Sequence, residues 1–276
     1  MNKKICFALL IILIIAGCSS APVQVATIHI KGSDTMLLLT ERLAEKYMQE
    51  HRGISIYVEG GGSASGIRAL SNGLIDICCA SRGLNASEAK ILADHFGSLG
   101  LSFLIAKDAL SIYLNENNPV KNLTIEQLRG IFTCKIKNWK ELGGDDAPIS
   151  PITRTPNSGT YLYFKEHVLS EDDYCNDLSS KATTDEVVKE VESNKYAIGY
   201  GGIGFKDGIV HASVNGIVPT VANVINDKYP ISRYLHFYTL DTPKGAVRDF
   251  IDWVVGPEGQ QIVEESGYIP LWQVPY

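Results

Sequence analysis

The chain has 276 residues, 45% apolar and 20% charged, which suits one large domain or two of about 100–150 residues. This composition excludes a disordered, collagen-like or disulfide-dense protein. With 25 Lys and Arg against 31 Asp and Glu the formal charge is −6, and no basic block supplies the face a nucleic-acid binder needs. Such an acidic balance predicts a general repulsion of anions.

At the N-terminus, Lys3 and Lys4 precede an uncharged apolar run from Ile5 to Ile15. That run is too short for a mature bilayer-spanning helix, which needs ~20 residues, but it suits the centre of an export signal. Small residues, Ala16 and Gly17, then lead to Cys18. The pattern resembles a bacterial lipoprotein signal: residues 1–17 would be removed, Cys18 lipidated, and residues 18–26 left as a tether. A plain secretory signal with an incidental cysteine is the alternative. Removal of Lys3 and Lys4 with the signal takes the formal charge from −6 to −8. The expected location is outside the cytoplasm, on a bacterial membrane facing the periplasm or the cell surface.

Beyond Cys6 and Cys18 the cysteines are Cys78, Cys79, Cys134 and Cys175, which allow three pairings in an oxidising compartment. Cys78 and Cys79 lie in the apolar run LIDICCAS and read as buried free thiols. No CxxC or HxxxH spacing occurs, so neither a metal nor a cofactor is expected.

Residues 27–32 and 54–60 read as strands, and the helix between them sets Met36, Leu39, Leu43 and Tyr47 on one face. Residues 87–97 and 124–132 read as helices with Ser87 and Thr124 as N-caps. Thr124 with Gln127, and Thr183 with Glu186, form capping-box pairs. The stretches TPKGAVRDFIDWVV and GPEGQQIVEESG each place a proline at the first helical position, and Gly267 stops the last helix. Residues 101–115 and 231–240 read as long apolar strands that divide the chain into three parts. Alternating strand and helix patterns predict an α/β protein. If both long strands are crossovers, the chain builds one lobe, passes to a second and returns.

Three segments share one design. KGSDTM ends a strand at Gly32 and opens a helix through Ser33, Asp34 and Thr35. EGGGSASGI repeats this with three glycines, then Ser63 and Ser65. TRTPNSGTYLYF presents Arg154, then Ser158, Gly159 and Thr160. A helix start carries free N–H groups and a partial positive charge, hydroxyls add donors, and an arginine adds a forked full charge. Any one such turn is usually only an N-cap; three together point to an oxyanion site.

The segments GSDTM, GGGSASGI, GLIDICCASR, RTPNSGTYLYF, AIGYGG and YPISRYL, in this order, are similar to the phosphate-binding proteins of phosphate ABC transporters, the PstS family. The similarity covers roughly residues 27–276. It implies a two-lobed periplasmic-binding-protein (type II) fold, two mixed-sheet lobes joined by a two-strand hinge, closing on one phosphate. Residues 27–108 with 231–276 would form lobe 1, and 109–230 lobe 2. The implied phosphate-binding residues are Ser33, Asp34, Thr35, Ser63, Ser81, Arg82, Arg154, Ser158, Gly159 and Thr160. Many family members carry Ser-Asp where this chain has Ser81 and Arg82, the carboxylate accepting a phosphate proton; Asp34 is the candidate replacement. Pro156 stands where the family often has an aspartate beside the arginine. The implied partners are inorganic phosphate, ABC permease subunits and, through the lipid, the membrane. No nucleic acid is expected, and the protein should be a monomer without catalytic residues.

Two other readings are possible: the same fold binding sulfate, molybdate or tungstate, and an exported serine hydrolase using Ser87 or Ser158. GYGGIG (199–204) matches a dinucleotide fingerprint but lacks the helix that should follow, and reads as a tight turn. SEAK (87–90) lacks the partner motifs of penicillin-interacting enzymes. Asp76 reads as structural, and Trp139, Trp253 and Trp272 as packing residues.

Overall fold

The computed structural model describes residues 25–272. The expected signal, Cys18 and nearly all of the tether lie outside the described residues.

In chain order the first half comprises β1 (Ala26–Gly32), α1 (Leu37–Glu50), β2 (Ile54–Glu59), α2 (Ser63–Ser71), β3 (Ile77–Ala80), α3 (Ala86–Phe96) and β4 (Leu101–Leu114). There follow β5 (Asn122–Leu123), α4 (Ile125–Phe132), β6 (Ser150–Arg154), α5 (Gly159–His167), β7 (Ser179–Lys181), α6 (Thr184–Ser193) and β8 (Ala197–Gly202). The chain finishes with β9 (Val210–Val214), α7 (Val221–Ile225), β10 (Ser232–Thr239), α8 (Gly245–Val255) and α9 (Pro257–Glu265).

One curled mixed sheet runs in the order β2-β1-β3-β10-β4-β8-β6-β7. β1 pairs in parallel with β2 and β3, and β10 is antiparallel to both β3 and β4. At ~3.3 Å per residue β4 reaches about 45 Å, so its first half serves β10 while its second half pairs with β8. The apolar side chains bury in two main clusters. Ile28, Ile30, Leu39, Leu43, Phe237 and Phe250 belong to the first, and Leu110, Ile112, Leu128, Phe132, Phe164 and Tyr200 to the second. The division falls on the two long strand regions: Ala106 and Leu235 pack in the first core, Ala109 and Ile231 in the second. The molecule is therefore two-lobed, with β4 and the entry to β10 as the crossings.

Several expectations need correction. The cap of α3 is Asn85, whose side chain accepts from Glu88 N in a capping box, while Ser87 Oγ bonds to Asn85 Oδ1. The cap of α8 is Lys244, so Pro243 lies ahead of the helix; Pro257 does sit at the start of α9. GYGGIG is not mainly a turn, because residues up to Gly202 form the buried strand β8. A Cβ at Gly201 would lie 2.4 Å from the Tyr113 hydroxyl, so glycine permits close packing there rather than a bend. Trp139 is buried, whereas Trp272 is 38% exposed. Cys134 and Cys175 form a disulfide, and Cys78 and Cys79 are buried free thiols.

Candidate functional site

The glycine- and serine-bearing turns converge where the lobes meet. From the first lobe come Ser33, Asp34 and Thr35 after β1, Ser63 at the start of α2, and Ser81 after β3. The second lobe contributes Arg154 at the end of β6, then Ser158, Gly159 and Thr160 at the start of α5. Ser33, Thr35, Ser63, Ser81, Arg154, Ser158 and Thr160 are each at most 2% exposed, which is uncommon for so many polar groups in one place.

Contacts between the lobes hold this arrangement closed. Thr35 Oγ1 and Thr160 Oγ1 are 2.8 Å apart. Ala64 N donates to Asn157 O at 3.1 Å, and Asn157 Nδ2 donates to Gly61 O at 2.8 Å. Within the first lobe, Ser63 Oγ accepts from Ser81 N at 3.2 Å. A Cβ at position 159 would fall 2.3 Å from Ser63 Oγ and 2.7 Å from Ser81 Oγ, so this approach of α5 to the first lobe demands glycine.

The two facing helix starts are positively polarised. Ser158 caps α5 by accepting from Thr160 N and Tyr161 N, and Gly62, at φ +89°, precedes α2. Neither helix has an acidic residue in its first turn, whereas α3, α4 and α6 do. Neither dipole thus meets a carboxylate from its own first turn, and first-turn N–H groups such as those of Ser63 and Gly159 have no intrahelical acceptor.

Arg154 spends most of its donors on the protein. Nη1 donates to Thr184 Oγ1 at 2.7 Å, Nη2 to Ala182 O at 2.7 Å and to Asp34 Oδ2 at 3.1 Å, and Nε to Lys181 O at 3.3 Å. Of five guanidinium N–H groups, one remains. Asp34 Oδ1 accepts from Gly61 N at 2.9 Å, so this carboxylate ties the first two turns to the arginine across the cleft. Burial pulls the Arg154 pKa down, and Asp34 opposes that shift.

Arg82 faces its own lobe: its guanidinium is bidentate to Glu88, both contacts at 2.7 Å, and it also donates to Gly83 O. Its Nε is a buried donor with no hydrogen-bond partner.

The sequence reading missed a third buried arginine. Arg233 on β10 lies directly opposite Asp108 on β4, donates from Nε to Asp108 Oδ2 at 2.9 Å, and from Nη1 to Thr160 Oγ1 at 3.1 Å. Asp108 is fully buried and also accepts from Ile203 N. Burial raises its pKa, and Arg233 counters this. Thr184, which anchors Arg154, was missed as well. Charges inside two otherwise apolar strands, Lys107 and Asp108 in β4 and Arg233 in β10, were the available signal.

All three buried arginines therefore have carboxylate partners. What remains for a ligand is chiefly oriented N–H groups and hydroxyls, a donor-rich lining suited to a small oxyanion. Ser158 Oγ is occupied as a helix cap. Among the described residues no group of three or more His, Cys, Asp or Glu side chains could hold a metal. Asp76 accepts from His29 N and serves the strand edge.

A PBP superfamily domain model matches residues 19–258. The chain is 32% identical to the phosphate-binding protein PstS of Pseudomonas aeruginosa, covering 87% of this chain and 81% of that one. It is also 32% identical to PstS of Bacillus subtilis, covering 89% and 81%. A crystal structure of a putative phosphate ABC transporter substrate-binding protein with bound phosphate, from Clostridium perfringens, superposes with a TM-score of 0.82 at 32% identity, over 89% of this chain and all of that one. An ABC-type phosphate transport receptor from Vibrio cholerae gives 0.73 at 31% identity, over 88% and 99%.

Proposed function

The chain belongs to the PBP superfamily, among the PstS phosphate-binding proteins, and from that premise we propose that it is an extracytoplasmic receptor that captures inorganic phosphate and delivers it to an ABC permease. The observation that carries this reading is the meeting of two helix starts without acidic first turns, one from each lobe, in a buried nest of hydroxyls.

Residues 27–108 and 231–276 form lobe 1 in this reading, and 109–230 lobe 2, with the two long strands as hinge. Phosphate sits between them. Ser33, Thr35, Ser63, Ser81 and Ser158 donate hydroxyls, Thr160 supports Thr35 through their 2.8 Å hydroxyl contact, Gly159 gives a backbone N–H, and Arg154 its one remaining guanidinium N–H. Asp34 accepts a phosphate proton through lone pairs that Arg154 and Gly61 leave free. Arg82, held by Glu88, adds positive charge behind Ser81. Ligand contacts to both lobes favour the closed form, which the permease reads.

The protein acts as a monomer without catalysis, and the lipidated Cys18 holds it to the membrane. No helix among the described residues is long and apolar enough to cross a membrane. Equilibrium dialysis of the chain from residue 19 against radiolabelled phosphate tests the reading. It predicts saturable one-to-one binding at micromolar or lower concentration, and absence of retained label would refute it.

A further inference from the structure

We propose that Arg233, fixed by Asp108 in the hinge, is a positioning residue for anion capture. It sets the direction of a hydroxyl relay, Arg233 to Thr160 to Thr35, so that Thr35 presents its O–H to the anion as a donor. The assignment rests on the phosphate reading above and adds a residue to it.

A guanidinium donates and never accepts. Thr160 Oγ1, 3.1 Å from Arg233 Nη1, must accept there, so the Thr160 hydroxyl hydrogen has to point elsewhere. Its neighbour at 2.8 Å is Thr35 Oγ1, which accepts in turn in the proposed relay. The Thr35 hydrogen is then directed away from Thr160 and towards the site. Two threonines alone could align either way, and the reverse alignment would turn an oxygen lone pair on the anion. Arg233 biases that choice: a hydroxyl oxygen that already accepts from a guanidinium is a poorer second acceptor and a better donor, which favours Thr160 donating to Thr35.

Burial makes the polarity matter. Arg233 is 4% exposed, Thr160 and Thr35 1% each, and Asp108 is fully buried, so no water reorients cheaply to repair a wrong hydroxyl. The arginine is held in place by its neighbours. Its Nε bonds Asp108 Oδ2, whose carboxylate is itself anchored by Ile203 N, and the guanidinium lies 5.6 Å from the centre of the Tyr163 ring. Arg233 Nη2 also lies 2.9 Å from Asp108 Oδ2, so two nitrogens hold the guanidinium on the carboxylate.

The relay also spans the moving parts. Arg233 and Asp108 are directly opposed on the two crossing strands, Thr160 belongs to the second lobe and Thr35 to the first. The last link exists only when the lobes meet, so the correctly aimed hydroxyl is assembled by closure itself.

The test is a double-mutant cycle read by calorimetric titration with inorganic phosphate, using Arg233→Met, Thr160→Val and the two combined. Arg233→Met should weaken phosphate binding by about tenfold to a hundredfold, the range for a hydrogen bond to a charged group. In the Thr160→Val background the same substitution should add less than about twofold, because the relay is already cut. Additive losses would assign Arg233 a general structural role and overturn the relay, as would unchanged binding in Arg233→Met. Should unpaired Asp108 prevent folding, Asp108→Asn/Arg233→Met takes the place of the single variant, with the same outcomes deciding. If the unaltered protein fails to bind phosphate, the functional reading falls; if it binds and the cycle is additive, only the relay falls.

Discussion

Replacing Arg154 with alanine should cost the protein most of its affinity for phosphate. The side chain is 1% exposed, and four of its N–H groups hold Thr184, Ala182 O, Lys181 O and Asp34. Truncation removes all of these donors and leaves the Asp34 carboxylate, 9% exposed, without its cationic partner where the proposed anion enters. Breaking one partner out of a buried ion pair costs about 3–5 kcal/mol. Because this pair crosses the cleft, that cost falls on the closed form and so on binding. At ~1.4 kcal/mol per tenfold the loss is about a hundredfold to a few thousandfold. Calorimetric titration of Arg154→Ala with phosphate measures it. Adding Asp34→Asn to the same variant should recover about tenfold, since the facing negative charge is gone. Micromolar or tighter binding by Arg154→Ala, or a double variant weaker than the single one, would refute the reasoning.

Other outcomes follow from the same structure. Burial takes the His236 pKa from the ordinary 6.5 to about 4, with Ser102 Oγ 2.9 Å from Nδ1. A depressed folded-state value means stability that is present above about pH 6.5 and is lost as pH falls towards 4. At ~1.36 kcal/mol per pH unit the loss is bounded at about 3 kcal/mol and reduced by solvent around the partly buried ring. His236→Gln should flatten melting temperature against pH in that window, and an unchanged slope would refute the assignment. The Cys134–Cys175 disulfide closes a separation of 41 residues, so replacing both with serine should lower stability by about 2–4 kcal/mol in urea titration. An unaltered denaturation midpoint would contradict this. Cys18→Ala should release the protein from the membrane fraction into the soluble one and abolish incorporation of labelled fatty acid; retention with label would exclude Cys18 as the anchor.

Much of the site was legible because its chemistry is local. Gly-Ser and Gly-Thr turns at helix starts announce free N–H groups within a few residues, and all three of those segments meet at the cleft. The two long strands were legible from their length and mainly apolar character. What escaped was set by register. Asp108 and Arg233 stand 125 positions apart, each in a mainly apolar strand, and only the β4–β10 pairing places them opposite each other. The same limit applies to Arg154: Pro156 stands where the family often has a nearby aspartate, while the fold supplies Asp34 from the other lobe. GYGGIG misled for a related reason. Glycines that look like a bend serve a strand packed closely against Tyr113 and α6, and packing density leaves no local mark. Asn85 was passed over for Ser87, although the spacing of Asn85 to Glu88 is itself a capping box.

The acidic composition also takes on a different meaning. A formal charge of −6 does not oppose an anion site in which each buried arginine is matched by a carboxylate and the remaining donors are dipoles and hydroxyls. Such a site recognises an anion by shape and hydrogen bonding inside a closed cleft, where the surface charge is remote.

Calorimetric titration of the chain from residue 19 against phosphate, sulfate, molybdate and tungstate, between pH 5 and 8, tests the central claim most directly. Phosphate should bind one-to-one and more tightly than the other three throughout. Its affinity should follow phosphate protonation across that range, while that for sulfate should not. Tight binding of sulfate, molybdate or tungstate with phosphate silent would contradict the account.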